Sequence, residues 1–198
     1  DIFVAAGCSR EEGERLGKSL VGANLTGHDS HGVVRVPRYL EGLADGSFAR
    51  DQKVEIIRET PVLAVIDAKY GLGQTTAPQA VEIGIAKCRT MGLSAVAMRN
   101  SGHVGRVGEW AEMAAEAGLV SIHFVNAAGS LLVAPFGGVD RRMSTAPYAI
   151  GVPRPGEEPL ILDFATSLVA EGKVLVASQG GKALPPNALI APDGTMSG

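Results

Sequence analysis

The order in which apolar runs and helical patterns follow one another limits the fold of this chain more than any other feature. "VLAVIDA" (62–68) reads as a strand, and "GQTTAPQAVEIGIAKCRTMG" (73–92) reads as a helix with Ala77, Ala80, Val81, Ile85 and Cys88 facing inward. "LSAVAMR" (93–99) is a strand, "EWAEMAAEAG" (109–118) a helix stopped by Gly118, and "LVSIHFVN" (119–126) a strand. The alternation then breaks. "YAIGVP" (148–153) and "PLILDFA" (159–165) are strands separated only by the turn-rich "RPGEE". A last helix in "SLVAEGKVLVAS" (167–178) and a hairpin turn at "PDG" (192–194) complete the pattern. Strict alternation would predict a parallel sheet. Alternation followed by consecutive strands predicts α/β of the mixed α+β kind, with a mixed sheet.

The first 60 residues read differently. Ser9 followed by Glu12 fits a capping box that opens a helix over about Arg10 to Asn24, with Leu16, Leu20 and Ala23 on one face and Gly27 as its stop. Pro37 suits the first turn of a second helix, which buries Tyr39, Leu40 and Leu43 and ends at Gly46. "VEIIRE" (54–59) is a further strand. The expected division is an N-terminal helical segment over 1–60 and a sheet domain over 61–198.

Composition excludes several classes. The chain has 198 residues, 45% hydrophobic and 20% charged, with a net charge of −3. That is globular composition, and it carries no basic stripe for nucleic acid or an anionic membrane. No apolar run approaches the roughly 20 residues that span a bilayer. Cys8 and Cys88 are the only cysteines. Two distant thiols make no disulfide framework and point to a reducing, cytoplasmic setting. The chain opens on Asp1 inside a helical pattern and stops after a turn, which suggests part of a longer protein.

Two glycine-rich loops and one histidine loop carry candidate chemistry. The strand–turn–helix at Gly71 and Gly73 sits where a dinucleotide fingerprint would, but its third glycine is Thr76 and the next strand ends in Arg99-Asn100 with no ribose-binding acid. "NSGHVGRVGEW" spaces Gly102, Gly105 and Gly108 around His103 and Arg106 before a helix. Such a loop can grip a phosphate or carboxylate, or can be an ordinary turn with an exposed histidine. "NLTGHDSHGVVRVPRYL" (24–40) holds His28, His31, Arg35 and Arg38. A zinc site on His28 and His31 would need a third ligand. The competing reading makes His31 an acid/base and Arg35 a carboxylate clamp, the pair needed by a 2-hydroxy or 2-keto acid. Asp163, ending an apolar strand, would either orient a histidine or cap the following helix. His123, inside a strand, reads as structural.

Taken in order, "GHDSHGVVRVPRYLEGLADG", "GLGQ", "RNSGHVGRVGEWAEMAAEAGLVSIHFVN", "VAPFGG", "STAPYAIGVPRP" and "LDFATSLVAEGKV" resemble the type-2 malate/L-lactate dehydrogenase family through almost the whole chain. That family also includes sulfolactate and ureidoglycolate dehydrogenases and cyclic imino acid reductases. The resemblance implies a non-Rossmann NAD(P)-binding fold with a mixed, largely antiparallel sheet, a homodimer, and hydride transfer between NAD or NADP and C2 of a small 2-hydroxy or 2-keto acid. It implies that His31 and Asp163 are catalytic. Ser30, Arg35, His103 and Thr145 would bind substrate. His103, Gly105, Asn126, Thr145 and the strand Leu160, Ile161, Leu162, Asp163, Phe164, Ala165 would bind cofactor, with no metal. Three alternatives stand beside it: a zinc-dependent hydrolase or lyase using His28 and His31, a reductase of a cyclic imino acid in the same family, and a non-catalytic fragment that dimerises. Two departures are visible. The family's G-T-N-P reads S-T-A-P at Ser144 to Pro147, and the later G-H-K-G-Y-G-type segment does not occur in these 198 residues.

Overall fold

A computed structural model describes residues 1–127 and 129–198. The N-terminal helices are α1 (Ile2–Ala5), α2 (Arg10–Leu25) and α3 (Val36–Asp45), with two short 3-10 turns, Asp29–His31 and Val33–Arg35, between the last two. Ser9 Oγ accepts the Glu12 N–H at 3.1 Å, as the capping box requires. Glu12 does not complete the box. Its carboxylate takes the Asp51 N–H at 2.8 Å and the Thr75 hydroxyl at 2.6 Å, and Asp51 takes the Ser9 N–H in its place at 3.0 Å. The start of α2 is buried against two distant segments, so a carboxylate there satisfies tertiary donors rather than its own helix end. Pro37 lies in the first turn of α3, and Gly46 ends it at φ +80°. Phe3, Leu16, Leu20, Tyr39, Leu43 and Leu72 form the core of this unit.

Strand β1 (Glu55–Glu59) pairs antiparallel with β2 (Leu63–Asp67), so this hairpin straddles the expected division at residue 60. Helix α4 (Gly73–Met91) returns the chain to β3 (Ala95–Arg99), which pairs parallel with β2. After α5 (Val107–Glu116) come β4 (Ser121–Phe124), β5 (Pro147–Val152) and β6 (Leu160–Ala165), all antiparallel. Then follow α6 (Glu171–Ser178) and the hairpin of β7 (Leu189–Ile190) and β8 (Met196–Ser197). The expected fold class holds: mixed α/β, with β2–β3 the parallel pair among the described strands. The strands form two separate three-stranded sheets and a two-stranded hairpin rather than one sheet.

One face of the second sheet packs on α5 through Ala149 and Ile161, with Ala111 and Trp110 opposite. The other face lines up Phe124, Tyr148 and Phe164 in one register row and Ile122, Ile150 and Leu162 in the next. Phe124 is 77% exposed, and its ring lies 5.2 Å from that of Tyr148. Ile122, Leu162 and Phe164 on this face are exposed as well. No helix among the described residues is long and apolar enough to cross a membrane, and both cysteines are free.

Candidate active site

Gly27 ends α2 in the left-handed conformation, and the His28 N–H closes back on Ala23 O at 2.8 Å. Asn24 braces the loop that follows: its Nδ2 reaches Asp29 and its Oδ1 takes the Val33 N–H at 2.9 Å. The 3-10 turn Asp29–His31 therefore leaves α2 at a fixed angle and presents Ser30 and His31. Ser30 Oγ lies 3.0 Å from His31 Nδ1, and Ser30 O accepts from Arg35 Nε at 2.6 Å. With Nε committed, the outer Nη groups of Arg35 have no protein hydrogen bond among the described residues. They leave a two-pronged edge suited to a carboxylate.

The second histidine comes from the loop before α5. The His103 ring stacks on His31 with centroids 5.4 Å apart and planes 14° from parallel. His103 Nδ1 lies 2.7 Å from Tyr39 Oη. This meeting depends on Gly73: a Cβ there would run into His103 O and the Val104 Cα, so the start of α4 can lie against this loop only without a side chain. Gly73 of the "GLG" turn thus serves to admit the histidine loop.

Both imidazoles are neutral near pH 7. Burial pushes His31 down to about 4, with further help from Arg35, His28 and Arg106. Burial pushes His103 down to about 3, with Arg35 and His31 adding to it. His123 is also lowered by burial, against the opposing charge of Asp163. The sign of the linkage follows. The unfolded chain takes up these protons near 6.5 while the folded chain refuses them, so stability is full above that pH and is lost as pH falls. We expect the urea midpoint to fall between pH 7 and about 5, above the main carboxylate range, with His31→Gln flattening the slope. A midpoint constant over that window would contradict the burial of neutral histidines.

Asp163, expected beside the catalytic histidine, is engaged at the start of α5 in the structure. Its Oδ2 accepts the Gly108 N–H at 2.7 Å at the start of α5, and it sits in register beyond Ala149 from His123. Asp163 is not among the charges acting on His31, and His31 Nδ1 faces Ser30 instead. The physical reason is that the N-terminus of α5 offers free amides and a positive dipole end to a carboxylate on β6. The same contact answers the glycine loop. The helix start that could have gripped a ligand's anion already holds Asp163, and Arg106 is paired with Glu112 at 2.9 and 2.6 Å.

The remaining expected residues lie along the second sheet. Asn126, just beyond β4, is exposed, and its Oδ1 lies 3.4 Å from Ser144 Oγ. Thr145 O accepts the Thr166 N–H at 3.0 Å, tying the start of β5 to the end of β6. Along β6, Ile161, Asp163 and Ala165 are partly buried, while Leu160, Leu162 and Phe164 are exposed. Ala146, which replaces the family's asparagine, sits at φ +35°. That conformation costs an alanine on the order of 1 kcal/mol and suits asparagine better. Ala146→Asn is therefore expected to raise Tm by about 2–4 °C, and a lowered Tm would refute the strain argument.

Three residues of the site went unseen in the sequence. Tyr39 lies four residues after Arg35, one helical turn on, a spacing that could have drawn attention to it. Gln74 is a fully buried polar side chain directly after Gly73. Gly172 lies in the first turn of α6, where a Cβ would collide with Ser30 Cβ and come within 3.3 Å of Arg35 Nη2. A glycine inside a helical pattern was the available signal. No group of three His, Cys, Asp or Glu side chains is gathered for a metal among the described residues.

Comparison with known proteins adds four findings. The family model described as malate/L-lactate dehydrogenase matches residues 1–198. Hydroxycarboxylate dehydrogenase B of Escherichia coli (strain K12) is 40% identical over 193 residues, covering 98% of this chain and 54% of that protein. Delta(1)-pyrroline-2-carboxylate reductase of Ancylobacter novellus is 35% identical over 198 residues, covering 98% and 56%. The solved structure of sulfolactate dehydrogenase from Methanocaldococcus jannaschii superposes with a TM-score of 0.88 at 32% identity, covering all of this chain and 56% of that one. The chain thus spans just over half the length of the relatives it matches.

Proposed function

The chain belongs to the malate/L-lactate dehydrogenase family, and from that premise we propose that it carries the acid/base half of an NAD(P)-dependent dehydrogenase for a small 2-hydroxy or 2-keto acid. One observation carries the reading: two neutral imidazoles, His31 and His103, stack beside an arginine whose outer edge is free. Arg35 holds the substrate carboxylate. His31, uncharged in the free site, takes the proton from the C2 hydroxyl during oxidation. Bound carboxylate offsets the guanidinium charge that helps to hold His31 down, so substrate raises the basicity of the ring that must accept the proton. In reduction the His31 imidazolium returns a proton to the oxygen forming on C2. Ser30 replaces Asp163 as the group that orients the ring.

The residues present fit a nicotinamide. Asn126 offers an exposed amide beside the Ser144 hydroxyl, with Thr145 next in sequence, a strip that suits a carboxamide or ribose, and His103 and Gly105 would add the loop before α5. Bound there, the nicotinamide supplies or receives the hydride; NAD and NADP both suit this strip. We also place the protein in the cytoplasm as a homodimer, which the exposed Phe124–Tyr148–Phe164 face supports. Sedimentation showing a monomer would remove the dimer.

Mixing the protein with NADH or NADPH and a panel of 2-keto acids and cyclic imino acids tests the reaction by loss of the reduced nicotinamide. Consumption with one keto acid supports the reading, and consumption with an imino acid alone redirects it within the family. Arg35→Lys is expected to raise KM for the acid while leaving kcat within a few fold, because an ammonium cannot reproduce the planar fork. An unchanged KM would remove the clamp.

A further inference from the structure

Two polar side chains in series and one backbone amide lead to His103 in an arrangement that the reaction above does not use. Gln74 Nε2 donates to Tyr39 Oη at 2.7 Å, and Tyr39 Oη lies 2.7 Å from His103 Nδ1. The Gly105 N–H points at the same nitrogen at 3.3 Å. A backbone amide can only donate, so Nδ1 must be the bare nitrogen of the ring. That sets the direction of the whole chain. The single proton of Tyr39 goes to Nδ1, and its oxygen is left to accept from Gln74. Running the chain the other way would set an Nδ1–H against the Gly105 N–H. Gly105 is itself fixed in this role. It sits at φ +72°, and a Cβ would come within 2.8 Å of Gln74 Nε2. The proton of the neutral imidazole therefore lies on Nε2, which has no protein partner among the described residues.

His31 differs in kind. Its Nδ1 partner is the Ser30 hydroxyl, which can turn to donate or accept, so His31 is free to gain and lose a proton. His103 is held between donors that cannot accept in return. The two stacked rings thus divide the work. We propose that Gln74, Tyr39 and Gly105 are positioning residues that lock His103 as a fixed Nε2–H donor to the C2 oxygen of the substrate, while His31 alone moves the proton. This rests on the dehydrogenase reading given above. A donor aimed at an oxygen where negative charge develops, inside a site with little water, stabilises the transition state more than the ground state.

The test begins without substrate. In protein carrying 15N-labelled histidine, the coupling of each nitrogen to the ring protons Hδ2 and Hε1 identifies which nitrogen of His103 is protonated. We expect Nε2–H alone in the wild type and a mixture of tautomers in Tyr39→Phe. Kinetics then separate a donor from a base. In His103→Gln the side-chain amide still offers an N–H, so kcat should stay within about tenfold of wild type, whereas His103→Ala should lose about 10²–10³. An Nδ1–H tautomer in the wild type overturns the lock, even if Tyr39→Phe does not fold. His103→Gln falling as far as His103→Ala overturns the donor role. An Nε2–H tautomer in a protein that turns over no acid or imine with either nicotinamide overturns the reaction and the donor role tied to it, and leaves the lock standing.

Discussion

Replacing His31 with alanine should lower turnover by about 10²–10⁴, the usual contribution of a positioned acid/base. The argument does not rest on the histidine alone. His31 is the member of the stacked pair whose Nδ1 partner can reverse its role, and it sits next to the arginine assigned to the carboxylate. Its lowered pKa keeps it ready to accept a proton. The loss should fall mainly on kcat, because Arg35 and its contact with Ser30 O do not need the imidazole. Steady-state kinetics with the acid identified by the panel decide the matter. Near wild-type kcat in His31→Ala would take His31 out of the mechanism and leave His103 as the remaining imidazole for proton transfer.

Gly172→Ala should be nearly as damaging, although Gly172 touches neither substrate nor cofactor in this reading. The added methyl collides with Ser30 Cβ and presses on Arg35. Ser30 holds His31 through its hydroxyl and Arg35 through its carbonyl, so a displacement reaches both at once. Misplacement by about 1 Å can cost on the order of 10² in rate. We therefore expect kcat/KM to fall about 100-fold, with a loss of about 1–3 kcal/mol of stability from overpacking. Unchanged kcat/KM would mean that the start of α6 yields freely and does not support the site. The two substitutions differ in kind: His31→Ala should leave substrate KM near its normal value, whereas Gly172→Ala should disturb kcat and KM together.

The fold was legible in the sequence wherever one element decided its own form. Ser9, Gly27, Pro37 and Gly46 bounded their helices because caps, left-handed turns and a fixed φ act within a few residues. The strands from 55 to 165 were visible as apolar runs between turn residues. The division of those strands into two sheets was not, because pairing depends on which strand edges the packed helices bring together. His31, Arg35 and His103 were each visible as candidates, the first two from local spacing and the third from its glycine-rich loop, and the structure brings the two imidazoles together. The Gly108 N–H as partner of Asp163 was not legible. A carboxylate at a strand end serves whatever donor the fold presents, and here that is the start of α5.

By itself, then, the sequence determined the helix ends, the strand segments, the family and the local Ser30–His31–Arg35 unit. Short-range hydrogen bonding and periodicity settle the helix ends, the strand segments and the local unit, and the order of the motifs carries the family. Only the tertiary structure decided that Gly73 would admit the His103 loop, that Gly172 would seat α6 on Ser30, and that Gln74 and Tyr39 would direct one histidine's proton. Each of those depends on a contact between residues far apart in the chain. The acceptable side chain at such a position is set by the space and the donors that another segment happens to leave.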